Sequence, residues 1–284
     1  EDAKDLDDAV HVEQIGPGLF RLGVHIADVS HYVRENRPLD LEARQRGTSV
    51  YLVDRVIPML PHRLSNGICS LNQGEDRLTL SAVMDIDSSG RVVKYELFPS
   101  VIRVRTRLSY TIVRRILADR DAALQAQYAP LAPMLKTMET LAAALRQKRF
   151  RRGAIDFDLP ELKIKLDDRG VPIAIEKRTL SVAESIIEEF MLAANETVAE
   201  HMDRREIPFV FRVHADPDPE KMAKLADLLR GLGQRIGAWT NVSPMDLQKA
   251  LAGMEGKPEE KMVSTLMLRS LKQARYEAEN AGHF

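Results

Sequence analysis

The sequence predicts an α+β protein with a mixed β-sheet core and surrounding helices. In the first half, segments of alternating apolar and polar residues are typical of strands. In the second half, apolar residues mostly recur at the three- and four-residue spacing of helices. The chain has 284 residues, 44% of them hydrophobic, so it can bury a sizeable core as one large domain or two small ones.

The strand pattern begins with two predicted hairpins. The first joins Ala9–Val12 to Leu19–Ile26 through a turn at Ile15–Gly18, and the second joins Leu78–Asp87 to Val92–Thr106 around Ser88–Gly90. A loop-rich passage with Pro58, Pro61 and Asn66-Gly67 lies between the hairpins. Further strands are predicted at Ser49–Val53, Asp156–Asp167, Ile173–Lys177 and Phe209–His214.

The predicted helices begin at capping residues or prolines and several end at glycine. They cover Leu39–Arg46, Pro133–Arg152, Val182–Met202, a helix capped by Asp218 and closed by Gly231, a short helix that begins at Ser243-Pro244, and Pro258–Ala281.

Composition excludes several classes of protein. The 41 Lys and Arg residues balance 42 Asp and Glu residues, which argues against a protein that only coats nucleic acid. The single cysteine, Cys69, cannot form an internal disulfide and fits a reducing compartment. No segment approaches the roughly 20 apolar residues of a membrane helix, and no signal peptide opens the chain. We therefore expect a soluble, cytoplasmic protein with no membrane partner.

A cluster of acids opens the chain at Asp2, Asp5, Asp7 and Asp8. Such carboxylates either extend into water, as acidic runs near chain ends usually do, or share a cation. Mg²⁺ is the natural candidate because it prefers hard oxygen ligands. In an extended backbone Asp5 and Asp7 point to one side and Asp8 to the other, so a turn is needed for all three to converge. The hairpin that follows fixes the acids to a rigid element and favours the metal site.

The helix Val182–Met202 carries two acidic stripes. Glu184, Glu188 and Asn195 share one stripe among apolar neighbours, which indicates a carboxylate held toward a partly buried polar site. A salt-bridged structural glutamate is the alternative. The other stripe, Glu189, Glu196 and Glu200, is typical of a solvated face.

Several separate blocks, in this order, resemble the catalytic (RNB) domain of the ribonuclease II / ribonuclease R family. They are Asp2–Val10, Val24–Ser30, Ile57–Pro61, Cys69–Leu71, Glu188-Glu189 and Ile207–Phe209. His214 and Pro217–Pro219 favour the ribonuclease R branch. The resemblance covers essentially the whole chain, so it implies one RNB-type catalytic domain over residues 1–284.

The resemblance implies a hydrolytic, metal-dependent 3′→5′ exoribonuclease that degrades single-stranded RNA to nucleoside 5′-monophosphates. It implies Mg²⁺ as the cofactor, with Mn²⁺ as an alternative, and flanking cold-shock and S1 RNA-binding modules in the full-length protein. Matched residue by residue, Asp5, Asp7 and Asp8 bind metal, and Asp7 is also needed for the chemical step. The other matched active-site positions, counted as catalytic with Asp7, are Tyr110, which bonds near the last phosphates, and Glu188, which contacts the terminal ribose or helps to orient the leaving groups. Tyr51 and Phe157 match the base-stacking residues.

Two departures from the family pattern keep alternatives open. The family has a further aspartate six residues before Asp5 and a downstream Ser-Pro-Ile-Arg segment, and this sequence contains neither. We therefore expect a fragment of a longer enzyme, and a catalytically impaired RNA-binding module of the same fold is the alternative. A phosphatase-type role for Asp5-Leu6-Asp7 is disfavoured because no hydrophobic strand precedes it. Phe157, between Ile155 and Leu159, has core packing as its alternative.

Overall fold

The computed structural model describes residues 4–157, 161–178, 180–234, 236, 237, 239 and 241–284. The strands within this part of the chain are β1 (Asp8–Gly16), β2 (Leu19–Ala27), β3 (Val50–Tyr51), β4 (Val56–Ile57), β5 (Asp76–Asp87), β6 (Val92–Arg103), β7 (Glu161–Leu166), β8 (Pro172–Arg178), β9 (Phe211–Val213) and β10 (Arg275–Glu277). The helices are α1 (Pro38–Arg46), α2 (Tyr110–Leu117), α3 (Ala122–Gln127), α4 (Ala132–Arg151), α5 (Val182–Arg204), α6 (Pro219–Gly231), α7 (Pro244–Ala252) and α8 (Glu260–Ser270).

The main sheet contains both predicted hairpins. Its strands lie in the order β1-β2-β5-β6, and every neighbouring pair is antiparallel. Gly90, in the turn between β5 and β6, has a φ of 81°. A Cβ at this position would lie 2.8 Å from the carbonyl oxygen of Ala144, so both the turn and the close approach of α4 require glycine.

One face of the main sheet forms the largest core. Alternate residues such as Leu22, Val24 and Met84 point to this face and pack with buried side chains of α4 and α5. Phe190 of α5 is fully buried there, and burying a side chain of this size contributes about 1.5–3 kcal/mol. The alternating strands and the helical spacing of α4 and α5 therefore meet in one apolar layer.

The opposite face of the sheet carries a polar ladder across all four strands. His11 Nδ1 lies 3.1 Å from His25 Nε2, and His25 Nδ1 lies 2.6 Å from Ser81 Oγ. The ladder continues from Ser81 Oγ to Ser100 Oγ at 2.6 Å and from there to Thr79 Oγ1 at 2.8 Å. Burial, and then the charge of His11, lowers the pKa of His25 to about 4, so His25 is neutral at physiological pH.

Two short helices follow β6 in a segment where the sequence pattern predicts no element. The side chain of Ser109 caps α2 by accepting from the N–H of Ile112, and that of Asp121 caps α3 by accepting from the N–H groups of Ala123 and Leu124. These N-cap residues are the local signal for both helices, because each helix is too short for its periodicity to be recognised.

The passage between β2 and β5 contains more regular structure than the predicted loops. Strand pairing of β3 with β4 covers only two residues of the predicted strand Ser49–Val53, because the chain turns at Asp54-Arg55. A π-helical turn spans Arg63–Ile68. A small core of Ala27, Cys69 and Leu71 closes this end of the sheet.

The chain divides into two compact units, Glu1–Leu145 with Pro160–Asn195 and Arg146–Leu159 with Glu196–Phe284. The second unit has its own core, in which buried residues of α6, α7 and α8 pack around Trp239. Asp218 and Ser243 cap α6 and α7 as predicted. The predicted connector Gly231–Ser243 includes residues 235, 238 and 240, which lie outside the described residues.

The predicted last helix, Pro258–Ala281, is wrong beyond Ser270. Leu271 is extended and ends α8, and Arg275–Glu277 pairs with β9 instead. The pairing partner lies far away in sequence, so local periodicity does not reveal this strand. Of the predicted strand Asp156–Asp167, only Glu161–Leu166 is seen, as β7. Asp156 and Phe157 lie outside any strand, and residues 158–160 lie outside the described part. Among the described residues, no helix is long and apolar enough to cross a membrane.

Candidate active site

The acidic motif, Asp5, Asp7 and Asp8, lies where β1 begins. Asp8 is the first residue of β1 and pairs with Ile26 of β2. The carbonyl oxygen of Asp7 accepts a hydrogen bond from the N–H of Ala27 at 2.9 Å. The predicted attachment of these acids to a hairpin is therefore confirmed. Asp2 lies outside the described residues.

Leu6 fixes the backbone between the acids. Its side chain is half-buried against the small core that contains Cys69 and Leu71. Its carbonyl oxygen accepts from the N–H of Leu71 at 2.8 Å, and its own N–H donates to Ser70 Oγ at 3.1 Å. Asp5 and Asp7 therefore flank a residue that is anchored through both its side chain and its backbone.

Tyr51 contacts the motif from the β3–β4 hairpin. Its hydroxyl donates a hydrogen bond to Asp5 Oδ2 at 3.2 Å. The residue is nevertheless 67% exposed. Because only the hydroxyl is engaged, the ring stays available to stack on a base.

The acids of the motif repel one another, and Asp7 and Asp8 are exposed although neighbouring atoms partly desolvate their carboxylates. Desolvation raises the pKa of the Asp7 carboxyl above its ordinary value of 3.8, and the charges of Asp5 and Asp8 raise it further. Desolvation also raises the pKa of Asp8. The charge of Asp5 is the largest of the causes that raise the pKa of the Tyr51 hydroxyl. A cation at this position would relieve the repulsion.

The donor chemistry of the motif fits a hard divalent ion. Asp5, Asp7 and Asp8 offer carboxylate oxygens, which Mg²⁺ and Mn²⁺ prefer. Within the described part of the chain, no three His, Cys, Asp or Glu side chains form a ready-made metal-binding group. Mg²⁺ commonly takes one or two carboxylates and completes its octahedron with water and substrate phosphates. The motif therefore fits Mg²⁺ through its carboxylate oxygens and their mutual repulsion, and not through a preformed group of three ligands.

Tyr110 and Glu188 belong to the same compact unit as the motif. Tyr110 is the exposed first residue of α2, directly after the N-cap Ser109. Glu188 lies on the exposed side of α5. Their roles at the acidic motif stay predictions.

The burial predicted for two neighbouring residues of α5 is wrong. We expected Glu189 on a solvated stripe and Glu188 toward a partly buried site, but Glu189 is only 3% exposed and Glu188 is exposed. Glu189 shares the buried stripe of Ile186 and Phe190, at the three- and four-residue spacing of one helix face. Helical spacing separates the stripes of a helix, but tertiary packing decides which stripe faces the core.

Phe157 belongs to the second compact unit. It is half-buried against the core that contains Trp239 and Leu247, so the alternative of core packing is confirmed. A base-stacking role for the exposed part of its ring stays a prediction.

Sequence reasoning does not single out Ser70, although Ser70 bonds to the backbone of the two residues that flank Asp5. Its hydroxyl donates to the carbonyl oxygen of Lys4 at 2.8 Å and accepts from the N–H of Leu6. The only signal in the sequence is its place in the Cys69–Leu71 block, one of the blocks that carry the family resemblance.

Known proteins share this architecture over the whole chain. The RNB domain family matches residues 1–284. Ribonuclease R 1 of Lactococcus lactis is 49% identical over 284 residues, and Ribonuclease R of Thermotoga maritima is 49% identical over 285 residues. Both alignments cover 100% of this chain but only 35% and 40% of the relatives, so the chain spans well under half the length of these curated relatives.

A solved structure has the same fold. RNase R of Mycoplasma genitalium, in complex with ribose methylated single-stranded RNA, matches with a TM-score of 0.91 and 33% sequence identity. The match covers 100% of this chain and 44% of that one, which confirms the predicted mixed α+β fold. Because the family match extends over every residue and the relatives share up to half of their aligned residues with it, this chain belongs to the RNB domain family.

Proposed function

We propose that residues 1–284 form the catalytic domain of a hydrolytic 3′→5′ exoribonuclease. The enzyme removes nucleotides one at a time from single-stranded RNA and releases nucleoside 5′-monophosphates. The observation that carries the proposal is the acidic motif at the start of β1, with Tyr51 bonded to it, in a chain of the RNB family. The names of the relatives and the RNA in the Mycoplasma genitalium complex support RNA as the substrate.

RNB-family ribonucleases depend in general on a divalent metal. For this chain we propose Mg²⁺, with Mn²⁺ as an alternative, bound by Asp5 and Asp8 together with Asp7. When bound there, the ion supplies a water of lowered pKa and neutralises charge on the leaving oxygen. Asp7 is the carboxylate assigned to the chemical step.

The substrate is held without reading its sequence. Stacking on Tyr51 and Phe157 is worth about 1–3 kcal/mol per base and tolerates every base. Tyr110 binds near the last phosphates, and Glu188 contacts the terminal ribose. Contact with the ribose 2′-hydroxyl distinguishes RNA from DNA.

The whole protein carries additional RNA-binding modules of the cold-shock and S1 types and works in the cytoplasm. The relatives are more than twice as long as the segment they share with this chain, which leaves room for such modules on either side.

The test uses the whole protein in which this chain occurs. It is incubated with 5′-labelled single-stranded RNA and Mg²⁺, with and without EDTA. A ladder that shortens from the 3′ end only when metal is present supports the enzyme, and Asp7→Asn abolishes that ladder while RNA binding is retained. Tight binding with no shortening in either condition would support the catalytically impaired RNA-binding module instead. Loss of both binding and cleavage in Asp7→Asn would make Asp7 a structural residue.

A further inference from the structure

Ser70 bonds to the backbone on both sides of Asp5. Its hydroxyl donates to the carbonyl oxygen of Lys4 at 2.8 Å and accepts from the N–H of Leu6 at 3.1 Å. The N–H of Leu71 adds a third bond, to the carbonyl oxygen of Leu6 at 2.8 Å. The segment that carries Asp5 is therefore held at three points by two residues that are distant in sequence.

The hydroxyl of Ser70 is enclosed by protein. Ser70 is 0% exposed, so water has no access to replace its bonds. A hydroxyl is the smallest side-chain group that both donates and accepts, and here it does both with the backbone on either side of Asp5. The hydroxyl also lies 3.4 Å from Asn72 Oδ1. Alanine at this position would leave the Lys4 carbonyl and the Leu6 N–H without this partner.

Arg77 fixes the turn that carries Ser70. Its Nε donates to the carbonyl oxygen of Ser70 at 2.8 Å, and its Nη2 donates to that of Gly67 at 3.4 Å. The side chain of Arg77 is only 13% exposed. Arg77 therefore fixes the backbone of Ser70, and the hydroxyl of Ser70 in turn bonds to the backbone of Lys4 and Leu6.

We propose that Ser70 is a positioning residue of the active site: through Lys4 and Leu6 it sets the backbone that aims Asp5, and it thereby raises the affinity of the acidic motif for a divalent ion. The inference rests on the proposed function, because it requires Asp5 to be an ion ligand. Carboxylates that repel one another separate unless the backbone keeps them together. Residues that orient metal ligands typically change metal affinity or activity about 10- to 100-fold when they are replaced.

The experiment measures Mn²⁺ binding to the whole protein by electron paramagnetic resonance, together with the Mg²⁺ concentration for half-maximal cleavage. Ser70→Ala is expected to weaken Mn²⁺ binding about 10-fold or more and to raise the Mg²⁺ requirement by the same factor. RNA affinity in EDTA should not change. Ser70→Thr, which retains the hydroxyl, should recover most of the lost Mn²⁺ affinity.

Ser81→Ala is the matched control. Ser81 is 3% exposed and lies on β5 of the same sheet, and its hydroxyl lies 2.6 Å from both His25 Nδ1 and Ser100 Oγ. Its replacement removes a buried hydroxyl of similar connectivity, so it should lower the midpoint of unfolding comparably without changing Mn²⁺ affinity.

Unchanged Mn²⁺ affinity in a folded Ser70→Ala variant overturns the proposal, as does an equal loss of affinity in Ser81→Ala. If Ser70→Ala does not fold, Arg77→Met decides, because it keeps the apolar part of the side chain but removes the donors to Ser70, Gly67 and Glu75. Weaker Mn²⁺ binding in that variant supports the proposal, and unchanged binding refutes it. Failure of the proposed function is distinguishable, since the wild-type protein would then neither bind Mn²⁺ nor cleave RNA, and both proposals would fall.

Discussion

Replacing Asp7 by asparagine should stabilise the metal-free protein, measured in EDTA. The same replacement should abolish cleavage when Mg²⁺ is present. The carboxylate of Asp7 is partly desolvated and lies near the charges of Asp5 and Asp8, and both effects raise its pKa. Two unit charges about 4 Å apart interact by about 1 kcal/mol in water, and screening at an exposed position keeps the effect near that lower limit. We therefore expect Asp7→Asn to raise the free energy of unfolding by about 1 kcal/mol at pH 7, or the melting temperature by about 2–4 °C.

With Mg²⁺ bound, the wild-type protein should be more stable than Asp7→Asn, which is the reverse of the order in EDTA. A ligand at 100 times its dissociation constant stabilises the folded state by about 2.7 kcal/mol. Wild-type protein should gain this stabilisation from Mg²⁺, and Asp7→Asn should gain much less because it has lost a ligand charge. Urea unfolding with and without Mg²⁺ measures both differences.

The effect of Asp7→Asn in EDTA should depend on pH with a defined sign. A carboxyl whose pKa is raised on folding makes the folded state least stable, relative to the unfolded state, when it is fully ionised. The advantage of Asp7→Asn should therefore be complete above the raised pKa of Asp7 and disappear as the pH falls through it toward the ordinary value of 3.8.

Asp85→Asn is a control whose effect on the free energy of unfolding should have the opposite sign to that of Asp7→Asn. Arg21 donates to Asp85 at 2.8 and 3.0 Å, and these bonds lower the pKa of Asp85. The stabilisation from this pair is present above pH 3.8 and is lost as the pH falls through the lowered pKa. Asp85→Asn should therefore destabilise the protein at pH 7 and leave the response to Mg²⁺ unchanged. An Asp7→Asn variant that is less stable than the wild type in EDTA would refute the reasoning.

Three further predictions concern single side chains. Tyr51→Phe should keep the length of the final product but weaken Mn²⁺ binding about 2- to 10-fold, because one hydrogen bond of about 0.5–1.5 kcal/mol is lost, whereas Tyr51→Ala should lengthen the final product on a sequencing gel. An unchanged product in Tyr51→Ala would remove Tyr51 from the site. His25 should stay neutral down to about pH 5 in an NMR titration, and its contribution to stability, complete above pH 6.5, should be lost as the pH falls toward about 4; a midpoint near 6.5 would contradict its burial. Phe190→Ala should lower the free energy of unfolding by about 3–5 kcal/mol in urea, and a loss below about 1 kcal/mol would place Phe190 outside the core.

The elements that the sequence predicts well are those whose local pattern and tertiary role agree. In the hairpin of β1 and β2, apolar and polar residues alternate along β2 and a glycine turn joins the strands. Phe20, Leu22 and Val24 are buried as this alternation predicts, but Ile26, which follows them in the alternation, is 41% exposed. The short helices after Ser109 and Asp121 escape prediction because one or two turns carry too little periodicity. The strand Arg275–Glu277 escapes prediction because only the tertiary fold brings it beside β9.

The residues of the candidate site also include some that the sequence predicts and some that it does not. Asp5, Asp7 and Asp8 stand out because four aspartates in the first eight residues need an explanation, and the family resemblance adds Tyr51. Ser70 gives no such signal, because a buried serine looks like any other serine until the hydrogen bonds to Lys4 and Leu6 are seen. The reversal of Glu188 and Glu189 shows that residues about 100° apart on a helix are assigned to core or solvent by their neighbours in space.

The most direct test of the account is the position of a bound ion. A crystal of the whole protein soaked in Mn²⁺ should show an anomalous-scattering peak in contact with carboxylate oxygens of Asp5 and Asp8. A protein that cleaves RNA with Mn²⁺ but binds that ion only through other residues would contradict the account.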